Sequence, residues 1–273
     1  MSEFEDELTS EIDRLDVVGD GTPRRVQYRY RDNINLDSPG LGLVAGRSAA
    51  IRRPGLANLI LGALSQAVEG DVSKVLVFAN SSKNLLTREI VAIASQLEFS
   101  DIDNVHLSEE GYRRLVNGIN RISQLGVLHE DDAESEAPGE EETLSWSGGP
   151  VSHEKLKIEL STASPGTVAI VENAHLLEMG TETKFKLVEL RNEAAKSGVY
   201  LYMGVGTSHW PEVRKNKKLV LSDLDEDFFG AVHVADKISL FDAEGGGLIL
   251  SIFDNRQVEP WRGPFNPQVL FPN

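Results

Sequence analysis

Apolar residues along this chain alternate between two rhythms. Leu41-Gly42-Leu43-Val44-Ala45 is a continuous apolar run, the pattern of a strand buried on both faces, and from Leu56 to Val68 the apolar positions return at helical spacing. The pair then repeats. Val75-Leu76-Val77-Phe78 predicts a second buried strand, and Leu85 to Leu97 an amphipathic helix. Residues 108–125 predict another helix, Val127-Leu128 a short strand, and residues 153–160 a short helix. Thr167 to Val171 predicts a buried strand, Phe185 to Lys196 a helix that stops at Gly198, and Val199 to Val205 the next strand. In the last third the helical rhythm disappears. Ala231–Ala235, Lys237–Phe241 and Leu248–Phe253 predict strands, with turns over Asp242 to Gly247. Strands alternating with helices, then a β meander, predict one α/β domain. Its mainly parallel sheet carries helices on both faces and ends in antiparallel strands.

Two segments stand outside this rhythm. Residues 1–35 form an N-terminal arm, with a short helical pattern ending near Leu15 and with Arg24, Arg25, Arg29 and Arg31 set around Tyr28 and Tyr30. Such an arm suits nucleic acid, a partner's acidic surface, or an edge strand protected by charge. Residues 130–150, rich in Glu, Ser, Gly and Pro, predict a flexible acidic insert within the 36–273 domain. At its edge Trp146 is expected to serve as an anchor if the insert folds against a basic partner.

Composition narrows the function classes. The chain has 273 residues, 27 Lys and Arg against 43 Asp and Glu, and a net charge of −16. Eight of those carboxylates lie between Glu130 and Glu142, so the remainder is only mildly acidic and keeps local basic clusters. An acidic chain is not a general polyanion binder. There is no cysteine, which excludes disulfides, thiolate metal sites and cysteine catalysis. No apolar run is long enough to span a membrane, and the first residues are acidic where a signal peptide is basic. A soluble, cytoplasmic protein is expected, with no membrane partner. The histidines show no metal-ligand spacing, so no metal site is expected.

The loop after the first strand is where an α/β sheet places its ligands. Gly46-Arg47-Ser48-Ala49-Ala50-Ile51-Arg52-Arg53 occupies the place of a phosphate-binding loop, G-x-x-x-x-G-K-[ST], and keeps only its first glycine. Ile51 brings a β-branched side chain where glycine lets the backbone approach phosphate, Arg52 replaces the lysine, and Arg53 replaces the hydroxyl that holds Mg²⁺. Pro54 then suits the first turn of the following helix. Glu172 ends the strand Thr167–Val171 where such sheets carry a metal-orienting acid. Arg47, Arg52 and Arg53 read either as phosphate ligands or as cations of a solvated loop.

Taken in order, several stretches resemble the RecA-fold ATPase domain of DnaB-type replicative helicases. They are Pro39-Gly40 with Leu43–Arg47, Val75–Phe78, Leu128–Asp132, Val168–Glu172, Leu190–Val199, Leu221–Leu224 with Ala235-Asp236, and Asp254-Asn255-Arg256. The resemblance covers residues 36–273 and implies a RecA-like P-loop NTPase fold. It also implies a nucleotide site at Gly46, Arg47, Ser48, Arg52, Arg53, Glu172 and His175, the last standing where the family has a glutamine. Arg256 stands near the family's finger residues, and Arg214, Lys215, Lys217 and Lys218 fall where the family has a loop facing single-stranded DNA.

The departures matter as much. The family's water-activating glutamate, just after the second strand, has no counterpart in Ala79-Asn80-Ser81-Ser82-Lys83. Phosphoryl transfer depends on positioned cations, a metal ion and an oriented water, and this chain lacks the lysine, the hydroxyl and the base together. The expectation is a degenerate, pseudo-ATPase relative in which Glu172 and Arg256 are relics and ATP with Mg²⁺ binds weakly at most. Its role is then a binding or regulatory partner in DNA replication or repair, beside a replicative helicase or another RecA-like DNA-processing protein, in a homo- or hetero-oligomer. Two alternatives stand: an active ATPase and helicase with a divergent phosphate loop, and a single-stranded DNA-binding protein.

Overall fold

The computed structural model describes residues 38–79, 83–103, 107–125, 143–148, 151–177, 179, 182–208, 213, 218–244, 247–254 and 261–265. The strands are β1 (Gly40–Gly46), β2 (Val75–Ala79), β3 (Leu144–Gly148), β4 (Val168–Val171), β5 (Tyr200–Gly206), β6 (Lys237–Glu244), β7 (Gly247–Asp254) and β8 (Trp261–Phe265). The helices are α1 (Ala49–Glu69), α2 (Lys83–Ser95), α3 (Phe99–Asp103), α4 (Glu109–Gln124), α5 (His153–Thr162) and α6 (Thr183–Ser197). Short 3₁₀ segments cover Ala174–Leu177, Leu221–Asp223 and Glu226–His233.

The strands form one sheet in the order β3-β2-β4-β5-β1-β6-β7-β8. Pairing is parallel from β3 through β6 and antiparallel for β6–β7 and β7–β8. Alternating side chains feed two cores. Val44, Val77, Ile170 and Tyr202 pack under α1, α2 and α4. Leu43, Val171, Leu201 and Met203 pack on the opposite face with α5, α6 and the 3₁₀ segments. Central strands covered on both faces require apolar residues at successive positions, which is why β1, β2, β4 and β5 read as continuous runs.

Three expectations need correction. Residues 144–148 of the acidic insert form β3, parallel to β2, and Trp146 is 7% exposed in the core rather than available to a partner. Lys83 Nζ lies 5.7 Å from its ring centroid. Ala231–Ala235 is no strand, because residues 226–233 form a 3₁₀ segment whose buried Phe228 and Ala231 recur three apart and whose first turn is capped by Asp225. Pro54 lies inside α1, not at its start, since α1 begins at Ala49. The N-terminal arm, Val127-Leu128 and residues 130–142 lie outside the described residues. No helix among the described residues is long and apolar enough to cross a membrane.

An ion pair ties the sheet to its helical cover. Asp236 Oδ2 accepts the Leu41 N–H at 3.0 Å, and Arg191 of α6 donates to the same carboxylate from Nη2 at 2.6 Å and from Nε at 3.0 Å. This hydrogen bond raises the Arg191 pKa. A Cβ at Gly40 would run into the Asp236 carboxylate, so the glycine makes room for the bridge. Arg191 is 41% exposed, and solvent screens much of the attraction. Asp236→Asn is therefore expected to cost about 1–2 kcal/mol, read as a shift in urea midpoint at unchanged slope.

Candidate functional site

The site lies at the carboxyl ends of β1, β4 and β5. β1 passes into α1 through Arg47 and Ser48 alone. The anticipated eight-residue loop does not exist: Ala49 and Ala50 are strong helix formers, and no second glycine interrupts them. Ser48 starts α1 with its backbone, its carbonyl accepting from Ile51 and Arg52 N–H at 3.2 Å, and its side chain makes no capping bond. Gly46 is held tight against the helix, since a Cβ there would meet Arg52 Cβ and the Phe241 carbonyl, each at 3.3 Å.

The three arginines separate. Arg47 Nε donates to Asp242 Oδ1 at 2.9 Å, and Asp242 Oδ2 also accepts the Leu219 N–H at 3.3 Å. Arg52 and Arg53 are not loop cations, because they are only 6% and 7% exposed. Each has a buried Nε without a hydrogen-bond partner. Burial lowers the Arg52 pKa; Glu172 opposes that shift and Arg53 adds to it.

Glu172, 3% exposed, follows β4 directly, and its N–H donates to the Phe78 carbonyl at 3.0 Å. A Cβ at Gly204 would collide with the Glu172 carbonyl, so this glycine lets β5 approach the end of β4. His175 Nε2 accepts the Gly206 N–H at 2.9 Å, and its ring meets Phe228 edge-on with centroids 4.7 Å apart. Burial lowers the His175 pKa, Asp225 and Asp227 oppose, and Arg52 reinforces. His175 is thus neutral near pH 7, with its proton on Nδ1. One and two residues past Gly206, Thr207 Oγ1 and Ser208 Oγ are buried without hydrogen-bond partners.

The structure brings Arg53, Glu172 and His175 each within electrostatic reach of Arg52, and Arg47 and Ser48 form the junction that leads into α1. Lys218 is exposed, and Arg214, Lys215, Lys217 and Arg256 lie outside the described residues. Sequence reasoning missed Asp242, which answers Arg47 from 195 positions away, and Glu89 of α2, buried near Arg53. A polar residue ending the apolar run of β6 is the one trace of Asp242 in the sequence.

Residues present do not suit Mg²⁺, which takes near-octahedral oxygen ligands. Arg52 lies beside Glu172, and Arg53 replaces the hydroxyl. Among the described residues, the three-membered His/Asp/Glu group is His175, Asp225 and Asp227, with ligand atoms within 4.8 Å of one another. Nε2 there already accepts a backbone N–H, so a metal on Nδ1 would require a doubly deprotonated ring.

Among the solved structures similar to this chain, two cover nearly all of it. One, described as the ATPase domain of G40P, superposes with a TM-score of 0.61 at 15% identity, over 97% of this chain and 95% of that one. The fold is that of a helicase ATPase domain. A DnaB-like replicative helicase, studied with its interactions with primase, gives a TM-score of 0.59 at 15% identity over 94% of this chain. The chain spans 64% of the length of that second protein. No family model matches the sequence, and no curated protein matches it. The expected RecA-like architecture, mainly parallel with antiparallel C-terminal strands, is therefore the observed one.

Proposed function

We propose that this chain is a pseudo-ATPase on the helicase ATPase fold. It acts by binding, as a regulatory partner of a replicative helicase or another RecA-like DNA-processing protein. One observation carries the reading: the phosphate loop is replaced by a two-residue junction, and the Arg52 guanidinium, where the lysine of a phosphate loop would stand, lies within Coulombic reach of Glu172. A nucleotide's γ-phosphate would meet neither the mobile glycine backbone nor the hydroxyl-bound metal on which phosphoryl transfer depends. The fold's assembly surfaces can outlast its chemistry, because a subunit's face contributes to a ring without turning over ATP itself.

The test is ATP turnover with Mg²⁺, with and without single-stranded DNA, on the purified chain. The expected result is no turnover above that of a Glu172→Gln control. DNA-stimulated hydrolysis abolished by Glu172→Gln would establish an active ATPase instead. Co-purification of the tagged chain with a replicative helicase or a RecA-like ATPase is the expected partner result, and its absence counts against the regulatory role.

A further inference from the structure

Large apolar residues that stay on a protein surface are usually scattered singly, and a group of them in one place marks a surface made to be covered. α6 and the 3₁₀ segments beside it carry such a group. Phe185 is 72% exposed and Phe229 51%, and Leu176 and Val188 are exposed with them. The four belong to one junction. The His175 and Phe228 rings touch edge-on, which places their sequence neighbours Leu176 and Phe229 at that contact. A Cβ at Gly230 would meet Cβ, Cγ and Cδ of Lys184 at 3.2 to 3.3 Å, so the segment of Phe229 lies against the first turn of α6, beside Phe185. Val188 follows Phe185 by three residues, on the face turned away from the buried Leu187, Leu190 and Ala194.

The chain itself holds a segment that fits. Phe4, Leu8, Ile12 and Leu15 recur at intervals of four, four and three, so in a helix they fall on one stripe, with Glu5, Asp6, Glu7 and Asp13 on the rest of the circumference. A helix of about 12 residues is marginal in water by itself and needs a surface for its apolar stripe. The arm also joins the fold in the right place. The described residues begin at Ser38, and the Gly40 N–H donates to the Val199 carbonyl at 3.1 Å, one residue past the Gly198 cap of α6. The 15 residues of α6 put its apolar first turn about 20 Å from that point. Residues 16–37 span up to about 70 Å when extended and include Gly19 and Gly21, so their reach is ample. Such a tether holds the segment at an effective concentration near millimolar, which a second copy at ordinary concentration does not match.

We propose that residues 4–15 form an amphipathic helix that docks on this face of their own chain, with Phe4, Leu8, Ile12 and Leu15 covering Leu176, Phe185, Val188 and Phe229. The arm is then a tethered cover. The face beneath it becomes available to another protein only when the arm is displaced. This docking does not depend on what the junction between β1 and α1 binds, so it stands or falls separately from the pseudo-ATPase reading.

Hydrogen–deuterium exchange on the whole chain, read by mass spectrometry, tests this. The amides of residues 4–15 are expected to exchange at least about tenfold more slowly than in a synthetic peptide of the same sequence. Phe185→Asp should bring them to within about twofold of the peptide. Phe185→Ala, which adds no charge, covers the case in which the aspartate disturbs the fold, and should give a partial loss. From the other side, Leu8→Asp should abolish the slowing and quicken exchange in the peptide spanning residues 183–188. Docking within one chain predicts slowing that is unchanged on about fiftyfold dilution. Slowing that disappears on dilution would assign the helix to a second copy and overturn the proposal. An arm that exchanges like the free peptide, or one whose slowing ignores both Phe185 variants, would overturn it as well.

Discussion

Phe241→Ala is expected to lower the unfolding free energy by about 3–5 kcal/mol, the range for truncating a fully buried aromatic. Phe241 has no exposed surface and pairs with Gly46 across β1 and β6. Its ring fills the space under the first turns of α1, so closely that a Cβ on Gly55 would run into it. On its other side it meets Phe265 of β8 edge-on, with centroids 4.9 Å apart. Alanine there removes packing from the helix that carries Arg52 and Arg53 and from the last strand at once. The surrounding sheet cannot collapse into the gap, because β1 and β6 are fixed by their ladder. Urea denaturation at constant slope measures the loss; a change under about 1 kcal/mol would show that the ring does not support α1. Gly55→Ala probes the same contact from the other side and should cost stability by overpacking.

How much of this was legible in the sequence depends on what each element is covered by. Strands β1, β2, β4 and β5 are buried on both faces, so each is an apolar run that identifies itself as a strand. β3 is hidden at the edge of the acidic insert because Leu144-Ser145-Trp146-Ser147-Gly148 alternates small polar residues with only two large apolar ones. As an edge strand it needs no more. β8 was missed for a related reason: Trp261-Arg262-Gly263-Pro264-Phe265 looks like a turn, and proline is tolerated on an edge strand, where its missing N–H leaves no ladder partner wanting. The run Ala231–Ala235 errs the other way, since four apolar residues around His233 do not separate a strand from a short helix without knowing which side is buried.

The site was legible in position but not in state. The carboxyl end of β1 and the strand-end acid Glu172 follow from fold class. What the sequence did not disclose is that the junction shortens to two residues, which draws Arg52 and Arg53 out of solvent and into the helix. That outcome depends on whether Ala49-Ala50 extend α1 or remain a loop. Local propensity favours the helix, while analogy to a phosphate loop favoured the other choice. Pairings such as Arg47 with Asp242 join the first strand to the sixth, and nothing local in either segment announces them.

Glu89 gives the second large effect, and it appears as a pH dependence. This α2 carboxyl is 7% exposed. Burial raises its pKa from an ordinary value of 4.5 to about 7, with Arg53 opposing and Glu98 adding to the rise. The folded state therefore holds the Glu89 proton more tightly than the unfolded state does. Linkage fixes the sign: no penalty exists below about pH 4.5, and stability is lost as pH rises from there to about 7. Each tenfold difference in proton affinity is worth about 1.4 kcal/mol, so the full penalty above pH 7 is about 3 kcal/mol. Glu89→Gln keeps the shape and removes the titration. At pH 8 it is expected to be more stable than the parent by about 3 kcal/mol, and at pH 4 the two should agree within about 0.5 kcal/mol. Comparing the two proteins at each pH cancels the other carboxylates, so chemical denaturation at four or five pH values isolates Glu89. A constant difference, or a variant less stable at pH 8, would mean that Glu89 stays ionised beside Arg53.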